Sequence, residues 1–288
     1  MDAKDLLFVG LAVALVFYGT TLLRGGFSMP TPLQSAVGFV TAFLDTLGIG
    51  SFATTTAAYK LRKMVPVKQI PGTMNVGHTL ATIAQAFIYT KIVPVDSETL
   101  IPMITAACLG AWIGAGVVVH WPRRRIQIGM GTALLVAAPL IVLTALKIIP
   151  GGGAAFGLTP TRLAIGMAGN FAFGALMMLG IGLYAPCMIL VALLGMDPRA
   201  AFPIMMGSCA FLMPICSIRF VRARTYHVQA SWGLALGGFP AVLIAAYIVR
   251  SLPLGAVSWL VAAVVIYTSL NMLLTARTED PAAESRMA

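Results

Sequence analysis

The chain has 288 residues, 59% of them hydrophobic and only 10% charged, and a formal net charge of +10. Soluble domains carry roughly 25% charged residues, so this composition excludes an ordinary soluble enzyme or binding module. The positive balance does not point to nucleic acid, because Lys and Arg sit in short segments between apolar runs, where membrane topology places them.

Apolar runs occupy about 6–23, 33–59, 73–90, 100–119, 126–149, 163–194, 203–218, 229–249 and 254–275. Runs near 20 residues can cross a hydrocarbon core of about 30 Å. Without period-2 alternation they read as helices and not as barrel strands. The first run is longer than a signal-peptide core and is followed by Arg24-Gly25-Gly26, so it is expected to stay as a transmembrane helix over 1–32. The run 33–59 contains Asp45, then Leu47-Gly48-Ile49-Gly50, then Ser51-Phe52 and Thr54-Thr55-Thr56. A basic segment with Pro66 and Pro71 follows, and the next run opens with Asn75 and His78 one turn apart on one face. Arg123–Arg125 is expected to anchor topology. The run 163–194 carries Asn170 and Leu179-Gly180-Ile181-Gly182, followed by Leu183-Tyr184, and the next run carries Ser208. His120 and His227 fall in loops with no assigned role. The four cysteines (Cys108, Cys187, Cys209, Cys216) lie in apolar runs without metal-ligand spacing, which predicts packing; no metal and no cofactor are expected. Residues 277–288 read as a short disordered cytoplasmic tail.

The chain repeats itself. Leu47–Gly50 recurs as Leu179–Gly182 at an offset of 132 residues, and the same ungapped register pairs Pro66 with Pro198 and Pro71 with Pro203. Four consecutive residues and two prolines in one register are hard to obtain by accident, whereas Leu and Ala matches are cheap. The repeat divides the chain into a membrane repeat over 33–150 and a second over 151–276. Glycine-interrupted apolar segments at corresponding positions of two halves point to a transporter's binding site.

Loop charge helps to read each interrupted segment. If both cross fully, positive charge divides almost evenly between the two sides. If both are re-entrant hairpins, Arg24, the 60–68 cluster, Arg123–Arg125, the 219–224 run and Arg277 share one side, as positive-inside requires. Each repeat is then a broken helix pair plus three spans, in opposite orientations, with the N-terminus outside and the C-terminus cytoplasmic. A full-span reading of the broken helices stays open.

Glycine costs a helix interior about 1 kcal/mol relative to alanine and permits positive φ, so LGIG suits the end of one half-helix and the start of another. The first N–H groups of each new half-helix lack intrahelical partners, and the dipole there favours an anion. Glycines also let membrane helices pack closely, and a single copy would be read that way. Asp45 is the only acidic residue inside an apolar run, a placement that is costly and usually functional.

The motifs Gly38-Phe39…Leu47-Gly48-Ile49-Gly50, Leu179-Gly180-Ile181-Gly182, Pro71-Gly72-Thr73-Met74-Asn75, Met206-Gly207-Ser208 and Arg222-Ala223-Arg224-Thr225-Tyr226-His227-Val228 resemble the sulfite exporter TauE/SafE family, also called the 4-toluene sulfonate uptake permeases. The resemblance covers about 33–275. It implies movement of small anions, often sulfur oxyanions or organosulfonates. The family usually extends its glycine motif to GIGGG, where this chain has Ser51-Phe52 and Leu183-Tyr184.

The expectation is an all-α integral membrane protein of two inverted repeats in the inner membrane, a secondary transporter and not an enzyme. Its partners are a small anionic solute and the lipid bilayer, with no nucleic acid, and the architecture admits a homodimer. The substrate-binding candidates are Gly48, Gly50, Ser51, Thr54, Asn75, Gly180, Gly182, Leu183 and Ser208. Asp45 and His78 are the proton-coupling candidates. A passive anion or small-solute channel is the main competitor. An intramembrane aspartyl enzyme fits poorly, since that chemistry needs paired acids.

Overall fold

The computed structural model describes residues 3–48, 50–66, 69–117, 128, 153–177, 182–250 and isolated positions between 259 and 274. Nearly all of the expected runs 126–149 and 254–275 lies outside these residues, as do Arg123–Arg125, His120, Gly180 and the tail. The described residues form helices α1 (Ala3–Arg24), α2 (Pro32–Thr46), α3 (Ser51–Arg62), α4 (Ile70–Ile92), α5 (Ser97–Val117), α6 (Pro160–Met177), α7 (Tyr184–Leu193), α8 (Ala201–Arg222) and α9 (Val228–Arg250). Among them there is no β-strand, only an isolated bridge between Ala155 and Met196.

Local chemistry sets the helix ends. Thr31 caps α2 in a reciprocal box with Gln34, and Pro32 supplies a preset φ at the first turn. Asp197 caps the short 3-10 turn Pro198–Ala200 that leads into α8. His227 accepts from the Ala230 N–H through Nδ1 and so caps α9, a role its place in a loop did not suggest. After α3 the chain leaves through Lys63 at φ 50°, and after α7 through Gly195 at φ 81°. These two left-handed residues stand 132 positions apart, the offset read in the sequence.

The helix boundaries keep the same offset. Shifting α2, α3, α4 and α5 by 132 residues reproduces α6, α7, α8 and α9 to within two residues at every end, except that α6 starts four residues early. The packing is exchanged in the same way. α2 lies along α9 and α5 along α6, while α4 and α8 pack against each other.

Two seams of small residues allow these close approaches. A Cβ on Gly110 of α5 would run into the Phe171 carbonyl of α6, and one on Gly174 of α6 into the Ala107 carbonyl of α5. On the other seam, a Cβ on Gly38 would come within 2.5 Å of the Gly233 carbonyl oxygen. Asn170, fully buried on α6, donates through Nδ2 to the Met103 carbonyl of α5 (2.8 Å) and to Ser208 Oγ of α8 (3.0 Å). Replacing Asn170 with leucine should cost about 1 kcal/mol, the scale of interhelical hydrogen bonds in membranes. Thermal unfolding of the detergent-solubilised variant would show it as a small drop in midpoint with the fold retained.

Among the described residues three helices, Lys4–Arg24, Pro198–Arg222 and Val228–Tyr247, are long and apolar enough to cross a membrane. The apolar window of α8 is 83% buried and that of α1 is 22% buried, so α8 is the central span and α1 a peripheral one. α1 is nonetheless joined to the body. The Tyr18 hydroxyl donates to the Val76 carbonyl (2.6 Å), Phe8 stacks on Phe87, and Tyr226 and Trp232 donate to the carbonyls of Gly25 and Gly26. Large apolar side chains such as Val13, Val16, Trp112 and Tyr247 face outward, as lipid-facing positions do.

At one rim, residues 153–158 run between the two halves. The Asp96 N–H donates to the Phe156 carbonyl, the Asp197 N–H to the Ala155 carbonyl, and the Leu158 N–H to Thr99 Oγ1. Arg199 adds a bidentate pair with Asp197 at 3.1 and 3.0 Å and lies over the Phe156 ring.

Candidate functional site

The first break lies between α2 and α3. Gly48 has φ +91° and Gly50 has φ +84°, so both occupy the left-handed region that L side chains avoid. Gly48 sits against the second half: a Cβ there would stand 3.1 Å from Met188 Cε of α7 and 3.5 Å from the Phe202 ring of α8. The Tyr89 ring stacks on Phe202 (5.1 Å between centroids), and its hydroxyl donates to the Thr46 carbonyl (3.0 Å). An aromatic floor therefore holds the end of α2.

The second break lies between α6, which ends at Met177, and α7, which begins at Tyr184. Gly182 and Leu183 are non-helical, with Leu183 buried beneath the start of α7. The two breaks meet. A Cβ on Gly182 would be 3.7 Å from Phe52 Cβ, and a Cβ on Gly50 would be 4.0 Å from Tyr184 Cβ. Gly50 and Gly182 are repeat counterparts, as are Phe52 and Tyr184. Each glycine thus faces the other repeat's first aromatic, a reciprocal contact of the kind a two-fold relation generates.

The two half-helix starts differ in what covers them. At α3 the Ser51 N–H donates to Asp45 Oδ1, so a carboxylate of the chain itself occupies that N-terminus. The sequence suggested that both half-helix starts would hold an outside anion; the first already carries an internal one, because Asp45 lies one helical turn before the break and turns back onto it. At α7 no side chain caps Leu183. Its repeat position for Asp45 is Met177, whose Sδ is 3.7 Å from Cys209 Sγ. Pro186 withdraws one donor from the first turn of α7, and the N–H groups ahead of it have no intrahelical partner.

Asp45 is also tied across the break. Gln85 Nε2 of α4 donates to Asp45 Oδ2 (3.0 Å) and to Thr46 Oγ1 (2.8 Å), while the Tyr184 hydroxyl of α7 donates to Gln85 Oε1 (2.8 Å). All of these groups are buried. The sequence does not single out Gln85; a glutamine inside the apolar run 73–90 is the available signal.

The remaining candidates spread around this centre. Thr54 bonds back to the carbonyls of Gly50 and Ser51, as threonines in helices often do. Thr55 pairs with His78 Nε2 at 2.9 Å, and the His78 ring lies 6.5 Å from that of Phe52, so His78 lines the α3 side of the site. Asn75 donates to the Pro71 carbonyl on its own helix, and its buried Oδ1 has no partner. Ser208 belongs to the α5–α6–α8 packing through Asn170 and is not placed at the breaks by any bond. A cavity of about 360 Å³ lies elsewhere, between α5 and α8, and its lining includes Trp112, Leu212, Ile215, Arg219 and Arg222 but no break residue. Among the described residues no group of three His, Cys, Asp or Glu side chains could hold a metal ion.

Apolar spanning helices wrapped around two interrupted ones that meet in the interior define a polytopic α-helical membrane protein. Residues 1–140 match the family model described as Sulfite exporter TauE/SafE. The match takes in α1, the first break and α5, and the family's description makes the class one of membrane transport. No curated protein and no solved structure matches the chain.

Proposed function

We propose that this chain is a secondary transporter that exports a small anion, a sulfur oxyanion or an organosulfonate or carboxylate, by alternating access between two inverted repeats. The observation that carries the reading is the reciprocal crossing of Gly50 with Tyr184 and of Gly182 with Phe52. It brings two half-helix starts to one buried place with no Lys or Arg side chain bonded there among the described residues.

Such a place suits an oxyanion. N–H groups at the start of α7, which have no intrahelical partner, would donate to oxygen, and a helix N-terminus contributes about 0.3–1 kcal/mol to an anion, more when partly buried. The hydroxyls of Thr55 and Tyr184, bonded to His78 and Gln85, border this place. With no fixed cation bonded there among the described residues, binding stays weak enough for release, which transport requires. One repeat moving against the other would expose the crossing alternately to the two sides. The orientation follows loop charge: the basic turn Arg219–Arg224 and Arg24 lie in the cytoplasm, the N-terminus lies outside, and the host membrane is the plasma (inner) membrane.

Counterflow in proteoliposomes tests this directly. Liposomes preloaded with sulfite, thiosulfate, a sulfonate or a carboxylate should take up the matching labelled anion transiently above its outside concentration. A passive channel would give equilibration without this overshoot, and no movement of any anion would end the reading.

A further inference from the structure

The polar chain that ties the first break to the second has no counterpart under the repeat. Asp45 aligns with Met177, Gln85 with Ser217, and Tyr184 with Phe52. Among the described residues only the Gly50–Tyr184 crossing is tied to a carboxyl group, and it is the crossing whose half-helix N-terminus is already filled by that group.

We infer that Asp45 is a tethered competitor of the transported anion: ionised, it holds the Ser51 N–H and the start of α3; protonated, it releases them, so that anion and proton bind together. The inference rests on the anion-transport reading and gives that site its coupling device. Two negative groups cannot share one set of donors in a buried place, so the ionised side chain and an incoming oxyanion exclude each other. Protonation removes the charge and turns one carboxylate oxygen into a donor.

The proton's effect reaches the other half through Gln85. With Asp45 ionised, Gln85 must present Nε2 to Oδ2, which leaves Oε1 to accept from the Tyr184 hydroxyl. A protonated Asp45 donates through Oδ2 instead, and Gln85 then reverses its carboxamide, Oε1 toward Asp45 and Nε2 toward Tyr184, while Thr46 Oγ1, which accepts from Nε2 and donates to the Ala42 carbonyl, turns its proton to Oε1. The network thus has two arrangements, selected by a single proton, and they differ in the bonds that join α4 to Thr46 and to the first residue of α7.

The groups facing Asp45 leave the proton no other obvious seat. From α3 it meets the Ser51 N–H; from α4, Gln85, while Tyr89 donates to the Thr46 carbonyl and His78 is engaged with Thr55. From α7 comes the Tyr184 hydroxyl, which lies beside Thr82 as well, and from α8 the Cys209 thiol. Among the described residues α9 brings no titratable side chain to it, and no Lys or Arg pairs with it. One proton per anion is the resulting limit. A monoanion then moves without net charge, and the product of anion and proton concentrations on the two sides sets the direction.

The test uses the full chain in proteoliposomes with methanesulfonate and thiosulfate as probes, since neither titrates near neutral pH. In the wild type, apparent affinity in counterflow should fall by up to about tenfold per pH unit across part of the range from about pH 5 to about pH 8, with proton uptake approaching one per anion bound in weak buffer. In Asp45→Asn, which mimics the protonated side chain, affinity should be flat with pH and proton uptake absent. Anion counterflow in the wild type with a flat pH profile and no proton uptake, a measurement that needs no variant, overturns the inference and leaves the transport reading standing. The same slope in Asp45→Asn overturns it equally. No counterflow of any anion at any pH removes the transport reading beneath it.

Discussion

Gly48→Val should abolish anion counterflow and destabilise the protein by about 3 kcal/mol. The estimate combines two costs. A left-handed φ costs an L residue about 1–2 kcal/mol, more for a branched one, and forcing atoms into a packed interior costs about 1–3 kcal/mol. Both apply at this residue. Gly48 stands at φ +91°, and its missing side chain would press on Met188 Cε at 3.1 Å and approach the Phe202 ring at 3.5 Å. The Met188 tip can swing away, so the Met188 contact alone would be tolerated; the backbone cannot. Gly48→Ala separates the two costs, since it keeps most of the φ penalty with little of the crowding, and should lose about 1–2 kcal/mol. Melting of the detergent-solubilised variants, read beside counterflow, gives the comparison. Full transport by Gly48→Val would mean that the break need not keep its shape.

The second large effect belongs to the seams. Gly110→Leu and Gly174→Leu each place a side chain where the facing helix has backbone, at the Phe171 and Ala107 carbonyls. A side chain can rotate out of the way, but a carbonyl inside a helix moves only with the helix. α5 and α6 would have to separate along their length, losing dispersion contacts that drive association in lipid. Loss of monodisperse protein on size-exclusion chromatography is expected, with destabilisation above about 3 kcal/mol. Val13→Ala on the outward face of α1, where the side chain is 63% exposed, provides the contrast and should change stability by less than about 0.5 kcal/mol.

Much of the architecture was legible because membrane helices announce themselves by apolar length. The breaks were legible because Gly48 and Gly50 adopt backbone angles that other residues resist, which leaves glycine as a visible mark. The repeat offset was legible for the same reason, and it reappears in helix ends and in the pair Lys63 and Gly195. What stayed hidden was direction and partnership. Nothing in the order of residues says that Asp45 folds back onto Ser51 and does not look to solvent. Gln85 is distant in sequence from both groups it joins, and Tyr184 reads as an ordinary aromatic until its hydroxyl is placed. Asn75 and Ser208 show the same limit from the other side: their depth was legible, but not that Asn75 donates to its own helix and Ser208 accepts from Asn170.

The segment 153–158 stitches the loop before α5 to the loop after α7 by backbone bonds at a single edge of the molecule. Under the proposed alternating access, an edge fastened in this way would behave as an axle. Any swing of one half relative to the other grows with distance from it, so spectroscopic distance labels beside Asp96 and Asp197 should stay nearly still while labels near Lys63 and Arg224 travel farthest.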